Sequence, residues 1–590
     1  MLDQIITESK RTPVSTSISS EQVISVVTNP TQLLNVLIPF NSAHAIAIDT
    51  ETTGLDPLKD KVRLIQIATP KQPTIVIDLF RFQPLELTPV WDLLNGPAVK
   101  IFHNAKFDMK FLVQAGLPII RNVFDTMISA QLLKAGLQRD GFKLADLVKE
   151  YLKEELPKEL QKSDWSLTLR SEQLRYAAKD AEILLRLFPP IYKDLSSNGL
   201  LEVAHIESEC IFSVAQMELT GIHIDKKAIG ALGLKLQHER KRLRSKLREY
   251  FTDVFPDLNP DSPDQVKKAL CASGIKVEGT GKDVLTQLKD KHPIIRDILD
   301  YRSVAKSIGV FTEKLPGHVH EFTDRIHPDF WQMGSETGRF SCSNPNLQQV
   351  PRGKEFRSCF IPARGHKFVI ANYSQIELRI AAEISGDSKM ISAYSKGIDL
   401  HQLTASLVNG KPIEQITKEE RQAAKAVNFG LIYGMGADGL RAYAKSTYNL
   451  DMTPAVAATF RQRFFEGYQG LAQWHKRTDA NRRAHSRTLS GRRRQWQYPP
   501  ITTILLNTPV QGTSADFLKI ALGKLPTVLS GTGAKIVACI HDEVILEVPE
   551  SHAEAAAIIL KEVMESAGQK YLKKVPVLAE PAIVDNWAEK

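Results

Sequence analysis

Residues 421–434 read RQAAKAVNFGLIYG, and this is the most specific segment of the chain. Within it, Arg421, Lys425, Phe429 and Tyr433 recur at every fourth position, which predicts one slowly drifting stripe on a helix. Two cations suit a triphosphate, and two aromatic rings suit packing against a base and a sugar. On its own, the stripe could also belong to an amphipathic helix with a basic edge.

Farther along the chain, a tight hairpin that carries acids is predicted. Residues 536–548 read IVACIHDEVILEV, which is two apolar strand runs joined at a His-Asp pair. A hairpin turn would present His541, Asp542 and Glu543 rigidly. Acids at a hairpin tip are often simply solvated, so this segment alone leaves a catalytic and a surface interpretation open.

Two segments before the stripe carry polar residues next to a predicted strand or in a loop. Residues 369–379 read VIANYSQIELR, an apolar strand run that ends at Asn372. Residues 337–348 read TGRFSCSNPNLQ, and their Gly, Ser and Asn content predicts a polar loop around Arg339. Without further matches, that loop would be an ordinary surface turn.

Near the N-terminus, residues 46–51 read IAIDTE and place two acids at the end of a buried strand. Side chains alternate along a strand, so Asp49 and Glu51 are expected to point to the same side. Two carboxylates aimed together are costly unless cations neutralise them. Such a pair also arises often by chance, so a metal site is one interpretation and a surface pair is the other.

Three further polar residues follow in the same part of the chain. Asp108 comes just after a short strand, at a predicted helix start, and Tyr176 and Asp180 are spaced to share one helix face. Taken singly, the acids would more often lie on the surface and the tyrosine in the core.

Together and in this order, the N-terminal residues resemble the DEDD-type 3′→5′ exonuclease domains of the subgroup that has a tyrosine. The resemblance implies that Asp49, Glu51, Asp108 and Asp180 hold two divalent ions and that Tyr176 orients the attacking water. Two ions about 4 Å apart can stabilise both the entering and the leaving oxygen of a phosphodiester. Hard oxygen ligands favour Mg²⁺ or Mn²⁺.

The segments beyond residue 330 resemble the motifs of family A DNA polymerases. The resemblance implies that Arg421 and Lys425 bind phosphates, that Phe429 and Tyr433 contact the incoming nucleotide, and that Asp542 is a metal ligand beside Glu543. It also implies two Mg²⁺ or Mn²⁺ ions at this second site. The other positions that it assigns to nucleotide, primer or DNA contacts are Gln375, Glu377, His401, Arg339, Arg493, Asn507, Gln511 and His541.

One position departs from the family pattern. Where the family has an aspartate that bridges both metal ions, this chain has Asn372. An amide is neutral and offers one carbonyl oxygen where a carboxylate offers two. Metal affinity and activation of the primer 3′-OH should both be weaker, so we expect impaired polymerisation. Because the rest of the motif is unaltered, we hypothesise that an aspartate has been replaced here.

The resemblance implies an α/β and α+β multidomain fold, an RNase H-like exonuclease followed by a right-hand polymerase. We expect no 5′-nuclease domain in front of it. The predicted parts are a tail at 1–28, an exonuclease domain at 29–200 and a polymerase domain at 201–590, the latter with its thumb at about 205–330, palm at about 331–398 and 500–590, and fingers at about 399–499.

The composition agrees with a nucleic-acid partner. The 590 residues carry a net charge of +9, and basic residues cluster at 238–244 and 492–494, although each cluster could be a solvated face. The five cysteines form no CxxC pair, and no apolar run approaches the roughly 20 residues of a membrane span. We expect a monomer in bacterial or phage-infected cytoplasm that binds primer-template DNA and dNTPs.

Two alternatives remain at this stage. The chain could be an exonuclease whose C-terminal half only grips DNA, which follows directly if Asn372 abolishes extension. It could also be a non-catalytic DNA-binding or scaffold protein, against which the complete set of exonuclease acids argues.

Overall fold

The computed structural model describes residues 24–138, 140–156, 163–289 and 291–590. The first part of the chain forms a mixed sheet flanked by helices. Its strands and helices are, in chain order, β1 (Ile24–Val27), α1 (Pro30–Leu37), β2 (Ala45–Thr52), β3 (Val62–Thr69), β4 (Gln72–Asp78), α2 (Thr88–Asn95), β5 (Val99–Phe102), α3 (Ala105–Gln114), β6 (Val123–Asp125), α4 (Thr126–Leu133), α5 (Leu144–Leu147) and α6 (Ser171–Ser197).

The six strands lie in the order β1-β4-β3-β2-β5-β6. Strand β3 runs antiparallel to both of its neighbours, β2 and β4, whereas β1 is parallel to β4, β5 to β2 and β6 to β5. Every residue of β3 is buried, as expected for a central strand covered on both faces. Helix α6 packs across β2 and β3. The acids that the sequence places at the end of β2 and on α6 therefore meet over one face of the sheet.

The predicted tail at 1–28 is too long at its C-terminal end. Residues 1–23 lie outside the described part of the chain, but Ile24–Val27 forms strand β1, which pairs in parallel with β4. The reason is that Ile24, Val26 and Val27 are β-branched residues that fit a half-buried strand.

The middle of the chain is mainly helical. It contains α7 (Leu201–Thr220), β7 (Ile222–His223), α8 (Lys226–Tyr250), α9 (Pro263–Ala272), α10 (Lys282–Leu288), α11 (Pro293–Ser307) and β8 (Arg325–Ile326). Helix α9 begins after Ser262, whose side chain caps it by accepting from the Gln265 amide. Helices α8 to α11 surround a small apolar core of their own.

The last part of the chain combines short strands with long helices. Its elements are β9 (Asp329–Trp331), β10 (Ser341–Ser343), α12 (Lys354–Arg357), β11 (His366–Tyr373), α13 (Ile376–Ser385), α14 (Ser388–Ser395), α15 (Leu400–Asn409), α16 (Lys418–Leu431), α17 (Ala437–Tyr448), α18 (Pro454–Gly467), α19 (Gln469–Ala480), β12 (His485–Arg487), β13 (Arg493–Gln495), α20 (Thr502–Val528), β14 (Lys535–Ile540), β15 (Glu543–Pro549), α21 (Ala553–Gln569) and β16 (Ala579–Val584).

A four-stranded antiparallel sheet in the order β14-β15-β11-β16 organises this part. The strand expected before Asn372 is β11, and the predicted hairpin is formed by β14 and β15. Helices α13 to α20 lie between β11 and β14 in the chain. The largest apolar core of the protein lies around this sheet. Within the described ranges, no helix is long and apolar enough to cross a membrane.

Two local predictions need correction. The polar loop at 337–348 contains strand β10, because Ser341–Ser343 pairs with β9 and the Cys342 side chain is buried. The helical stripe ends before its last member: α16 stops at Leu431, so Tyr433 lies in the following turn. The turn forms where Gly434 takes a positive φ, a conformation that glycine adopts readily.

The basic cluster at 492–494 is not a solvated face. Arg492 is 3% exposed and lies between two buried acids, Glu207 on α7 and Asp516 on α20. Lys519 on α20 contacts the same Glu207 carboxylate at 2.5 Å. Burial alone would raise the pKa of Glu207, but Lys519 and Arg492 together hold it below its ordinary value. This buried network connects α7, β13 and α20 within the interior.

Candidate active sites

The first candidate site lies where β2 meets α6. One carboxylate oxygen from each of Asp49, Glu51 and Asp180 can be chosen so that all lie within 4.8 Å of one another. Asp49 and Glu51 point to the same side of β2, as their spacing predicted, and α6 supplies Asp180 from above. The arrangement brings together three hard oxygen donors at a spacing that a divalent cation can bridge.

The fourth predicted acid, Asp108, lies beside this group and not within it. Helix α3 carries Asp108, whose carboxylate accepts a hydrogen bond of 2.6 Å from the hydroxyl of Thr50 on β2. Asp125 fixes the start of α3, because its carboxylate accepts from the Ala105 amide at 2.8 Å and also caps α4. Asp125 was missed at the sequence level, although its place before Thr126 is typical of a helix cap.

Burial and mutual repulsion dominate the electrostatics of this group of acids. The pKa of Asp49 is raised well above its usual range, and that of Glu51 is raised to about 9. In both residues burial is the largest cause, and repulsion by the neighbouring carboxylates adds to it. Burial also raises the pKa of Asp108 to about 7 and that of Asp180 to about 6. Such shifts favour the binding of cations, which would stabilise the ionised carboxylates.

Tyr176 lies one turn before Asp180 on α6, and its hydroxyl interacts with the Asp180 carboxylate. Burial, together with Asp180, raises the pKa of the Tyr176 hydroxyl, so it is a neutral donor at physiological pH. The predicted pairing of these two residues on one helix face is confirmed.

The second candidate site lies at the end of the four-stranded sheet. The turn between β14 and β15 consists of His541, with a φ of +60°, and Asp542. The backbone oxygen of Asp542 accepts from the Tyr373 amide at 3.4 Å, which places the turn beside the end of β11. Burial raises the pKa of Asp542 and Glu377 adds to the increase, while Arg339 opposes it.

Asn372 lies between two glutamates in the sheet. It is directly opposite Glu543 on β15 and Glu580 on β16. Glu543 accepts from the Trp587 indole at 2.8 Å and has the Arg357 guanidinium at 4.0 Å and the Lys590 ammonium at 3.8 Å. These three partners of Glu543 were not predicted from the sequence.

Glu377 is held by two other predicted residues. Its carboxylate accepts from the Arg339 guanidinium and from the Tyr433 hydroxyl. The segments at 337–348 and 421–434 therefore meet at the N-terminal turn of α13. Gln375 precedes this helix in a left-handed conformation, and its side-chain oxygen accepts from the Tyr394 hydroxyl at 3.2 Å.

The two cations of the helix stripe, Arg421 and Lys425, lie one turn apart on α16. The Arg421 guanidinium donates to the Asp399 carboxylate at 2.5 Å, while Lys425 is partly exposed one turn later. His401 is 3% exposed, with its ring 5.8 Å from that of Phe429. Burial lowers the pKa of His401 to about 4, so the ring is neutral. In this arrangement the buried His401 ring packs beside Phe429. A contact between His401 and the nucleotide stays a prediction.

The three remaining predicted residues divide into two groups. Asn507 and Gln511 lie one turn apart on α20, both partly exposed. Arg493 instead donates to the Asn198 side chain at 2.6 Å and to the Leu133 carbonyl at 3.2 Å, which ties β13 to the first part of the chain. A DNA contact by Arg493 would require it to leave these partners.

Sequence models of two protein families match the chain. The one described as DNA polymerase family A matches residues 226–589, and the one described as 3′-5′ exonuclease matches residues 24–196. The chain belongs to DNA polymerase family A. It carries a 3′-5′ exonuclease domain before the polymerase domain, so the predicted family and domain order are confirmed.

Individual relatives agree with this assignment. DNA polymerase I of Aquifex aeolicus (strain VF5) is 35% identical over 598 residues, which covers 95% of this chain and 99% of that protein. The thermostable DNA polymerase I of Thermus aquaticus is 36% identical over 442 residues, which covers 70% of this chain and 51% of that protein. The chain thus spans nearly all of one relative, and its match covers about half the length of the other.

A solved structure also has the same fold. It is the POL domain of Pol1 from M. smegmatis in complex with DNA primer-template and dNTP. The two structures superpose with a TM-score of 0.80 at 26% sequence identity, covering 96% of this chain and 99% of that one. The family A fold therefore extends over nearly the whole chain.

Proposed function

We propose that the exonuclease domain removes nucleotides from a primer 3′ end and that Asp49, Glu51, Asp108 and Asp180 hold two Mg²⁺ or Mn²⁺ ions for this reaction. The proposal rests on the convergence of Asp49, Glu51 and Asp180 within 4.8 Å, together with their raised pKa values. Bound divalent ions would supply charge stabilisation for the entering and leaving oxygens. Tyr176, a neutral donor beside Asp180, would orient the attacking water.

The test of this function is degradation of a labelled single-stranded oligonucleotide in Mg²⁺. We expect shortening from the 3′ end that is lost in Asp49→Asn, a variant that keeps the shape of the side chain and removes its charge. Equal degradation by this variant would show that the activity does not depend on the acid cluster. Glu182→Gln, on α6 two residues beyond Asp180, is a matched control, because the Glu182 carboxylate accepts from Thr74 and takes no part in the acid group.

For the polymerase domain, we propose DNA-directed nucleotide addition that Asn372 impairs. Asp542 would hold metal, but the neutral amide of Asn372 beside it fits two cations less well than a carboxylate would. Arg421 and Lys425 would bind the triphosphate, and Phe429, Tyr433 and Glu377 would contact its sugar and base. For the thumb, palm and fingers we propose the same boundaries as those predicted from the sequence.

A second candidate function is an exonuclease whose polymerase half only binds primer-template DNA. The observation that favours it is Asn372 itself, since all four exonuclease acids are retained while the polymerase site has lost one expected carboxylate. Extension assays on this chain distinguish the two candidates, because a purely DNA-binding half adds no nucleotide at any dNTP concentration.

A further inference from the structure

Strand β3 contains a buried glutamine to which the proposed reaction gives no role. The Gln66 side chain is 0% exposed. Among the residues that the structure describes, neither its Nε2 nor its Oε1 has a hydrogen-bond partner. Burying an amide without hydrogen bonds is unfavourable, and each such group in a folded protein calls for an explanation.

The position of Gln66 in the sheet suggests that explanation. The antiparallel register of β2 and β3 sets Gln66 directly opposite Asp49. Directly opposite residues share one face of the sheet, with Cβ atoms about 4.5–5.5 Å apart. On its other side Gln66 is opposite Val76 of β4, which packs with Leu64 and Trp165 in an apolar cluster. Its polar cross-strand neighbour is therefore Asp49.

We propose that Gln66 is a positioning residue of the exonuclease metal site and that its amide N–H donates to the Asp49 carboxylate when that carboxylate holds a divalent cation. The inference rests on the proposed exonuclease function. Carboxylates that bind metal are themselves commonly held by hydrogen bonds from a second layer of residues. A glutamine can supply such a bond without adding charge to a crowded acidic site. Because Gln66 is fully buried, it acts through Asp49 and does not touch DNA.

The Gln66→Met variant separates this role from simple packing, since methionine has a similar length and no amide. We expect Mn²⁺ affinity in the absence of DNA to fall by about 10- to 100-fold. We also expect the melting temperature in EDTA to rise, because the variant removes a buried amide that has no partner in the metal-free protein. A glutamine that only fills space would give unchanged Mn²⁺ affinity.

The experiment is a titration of the full chain with Mn²⁺ in which electron paramagnetic resonance measures the bound ion. Every variant also carries Asp542→Asn, which removes a carboxylate from the polymerase site. Ile67→Val is the matched control, because Ile67 is the next residue on β3 and faces the opposite side; its Mn²⁺ affinity should be unchanged. Asp49→Asn identifies the exonuclease ions. If Asp49→Asn binds Mn²⁺ as tightly as the parent, the metal site itself is refuted and this inference with it. If Asp49→Asn weakens binding and Gln66→Met does not, only the role of Gln66 is refuted.

Discussion

Replacing Asn372 by aspartate should restore nucleotide addition and, at the same time, destabilise the metal-free protein. In the sheet, Asn372 lies directly between Glu543 and Glu580. An aspartate there would put three acids in a row across β15, β11 and β16. Like charges directly opposite one another cost about 0.2–1 kcal/mol per pair, so two pairs cost up to about 2 kcal/mol. The Lys590 ammonium, 3.8 Å from Glu543, offsets part of this cost.

The gain in activity should be larger than that loss. A preorganised group that stabilises developing negative charge in a transition state is worth about 3–4 kcal/mol, which corresponds to about 10²- to 10³-fold in rate, and a carboxylate at position 372 would supply such a contribution by holding the metal ions. We therefore expect Asn372→Asp to extend a primer about 10²- to 10³-fold faster than this chain in Mg²⁺. In EDTA its melting temperature should be lower, and Mg²⁺ should reverse the difference.

The assay is single-turnover addition of one dNTP to a labelled primer-template, with Asp180→Asn in both proteins so that degradation does not mask extension. Thermal unfolding in EDTA and in Mg²⁺ completes the comparison. Equal extension rates would refute the argument that the amide at 372 limits metal binding. A higher melting temperature for the aspartate variant in EDTA would refute the charge argument across the sheet.

Three other predictions follow from the charges of the structure. In EDTA the protein should lose stability as the pH rises from about 5 to about 9, because carboxyls such as Glu51, with a pKa raised to about 9, stabilise the fold only while protonated. Thermal unfolding at several pH values measures this slope, and Mg²⁺ should flatten it. A slope that Mg²⁺ leaves unchanged would contradict the metal site. Glu207→Gln should lower the free energy of unfolding by about 3–5 kcal/mol in urea titrations, because Arg492 loses a buried partner; a loss below about 1 kcal/mol would show that the network is not stabilising. Charge reversal at Arg240 and Arg244 should weaken primer-template binding without sequence preference and reduce its salt dependence; unchanged affinity would exclude helix α8 from the DNA interface.

The sequence predicted those features that depend on local patterns. Alternation along β2 gave the common direction of Asp49 and Glu51, and a spacing of four gave the contact of Tyr176 with Asp180. The apolar runs around His541 gave the hairpin of β14 and β15. In each case, a few neighbouring residues determine the geometry, so no knowledge of the tertiary fold was needed.

Features that depend on distant parts of the chain were not predicted. Arg492 reads as part of a basic surface cluster, yet its partner Glu207 lies 285 positions away in sequence, and only the packing of α7 against α20 brings them together. Gln66 was missed for a similar reason, since its place opposite Asp49 depends on the register of two strands. A lone glutamine within the apolar run of residues 64–68 was the one available signal.

The two sites differ in how their acids are neutralised, and this explains why one depends more on added cations. At the polymerase site, Glu543 has Arg357 and Lys590 within 4.0 Å, and Arg339 opposes the pKa increase of Asp542. In the exonuclease cluster, Asp49 and Glu51 are surrounded by other carboxylates, and burial adds to the repulsion. A protein cation close to an acid competes with metal ions, whereas Asp49 and Glu51, whose pKa values are raised by burial and by other carboxylates, gain more from them. Stabilisation of this chain by Mg²⁺ should therefore arise mainly at the exonuclease site, even though polymerisation requires metal ions as well.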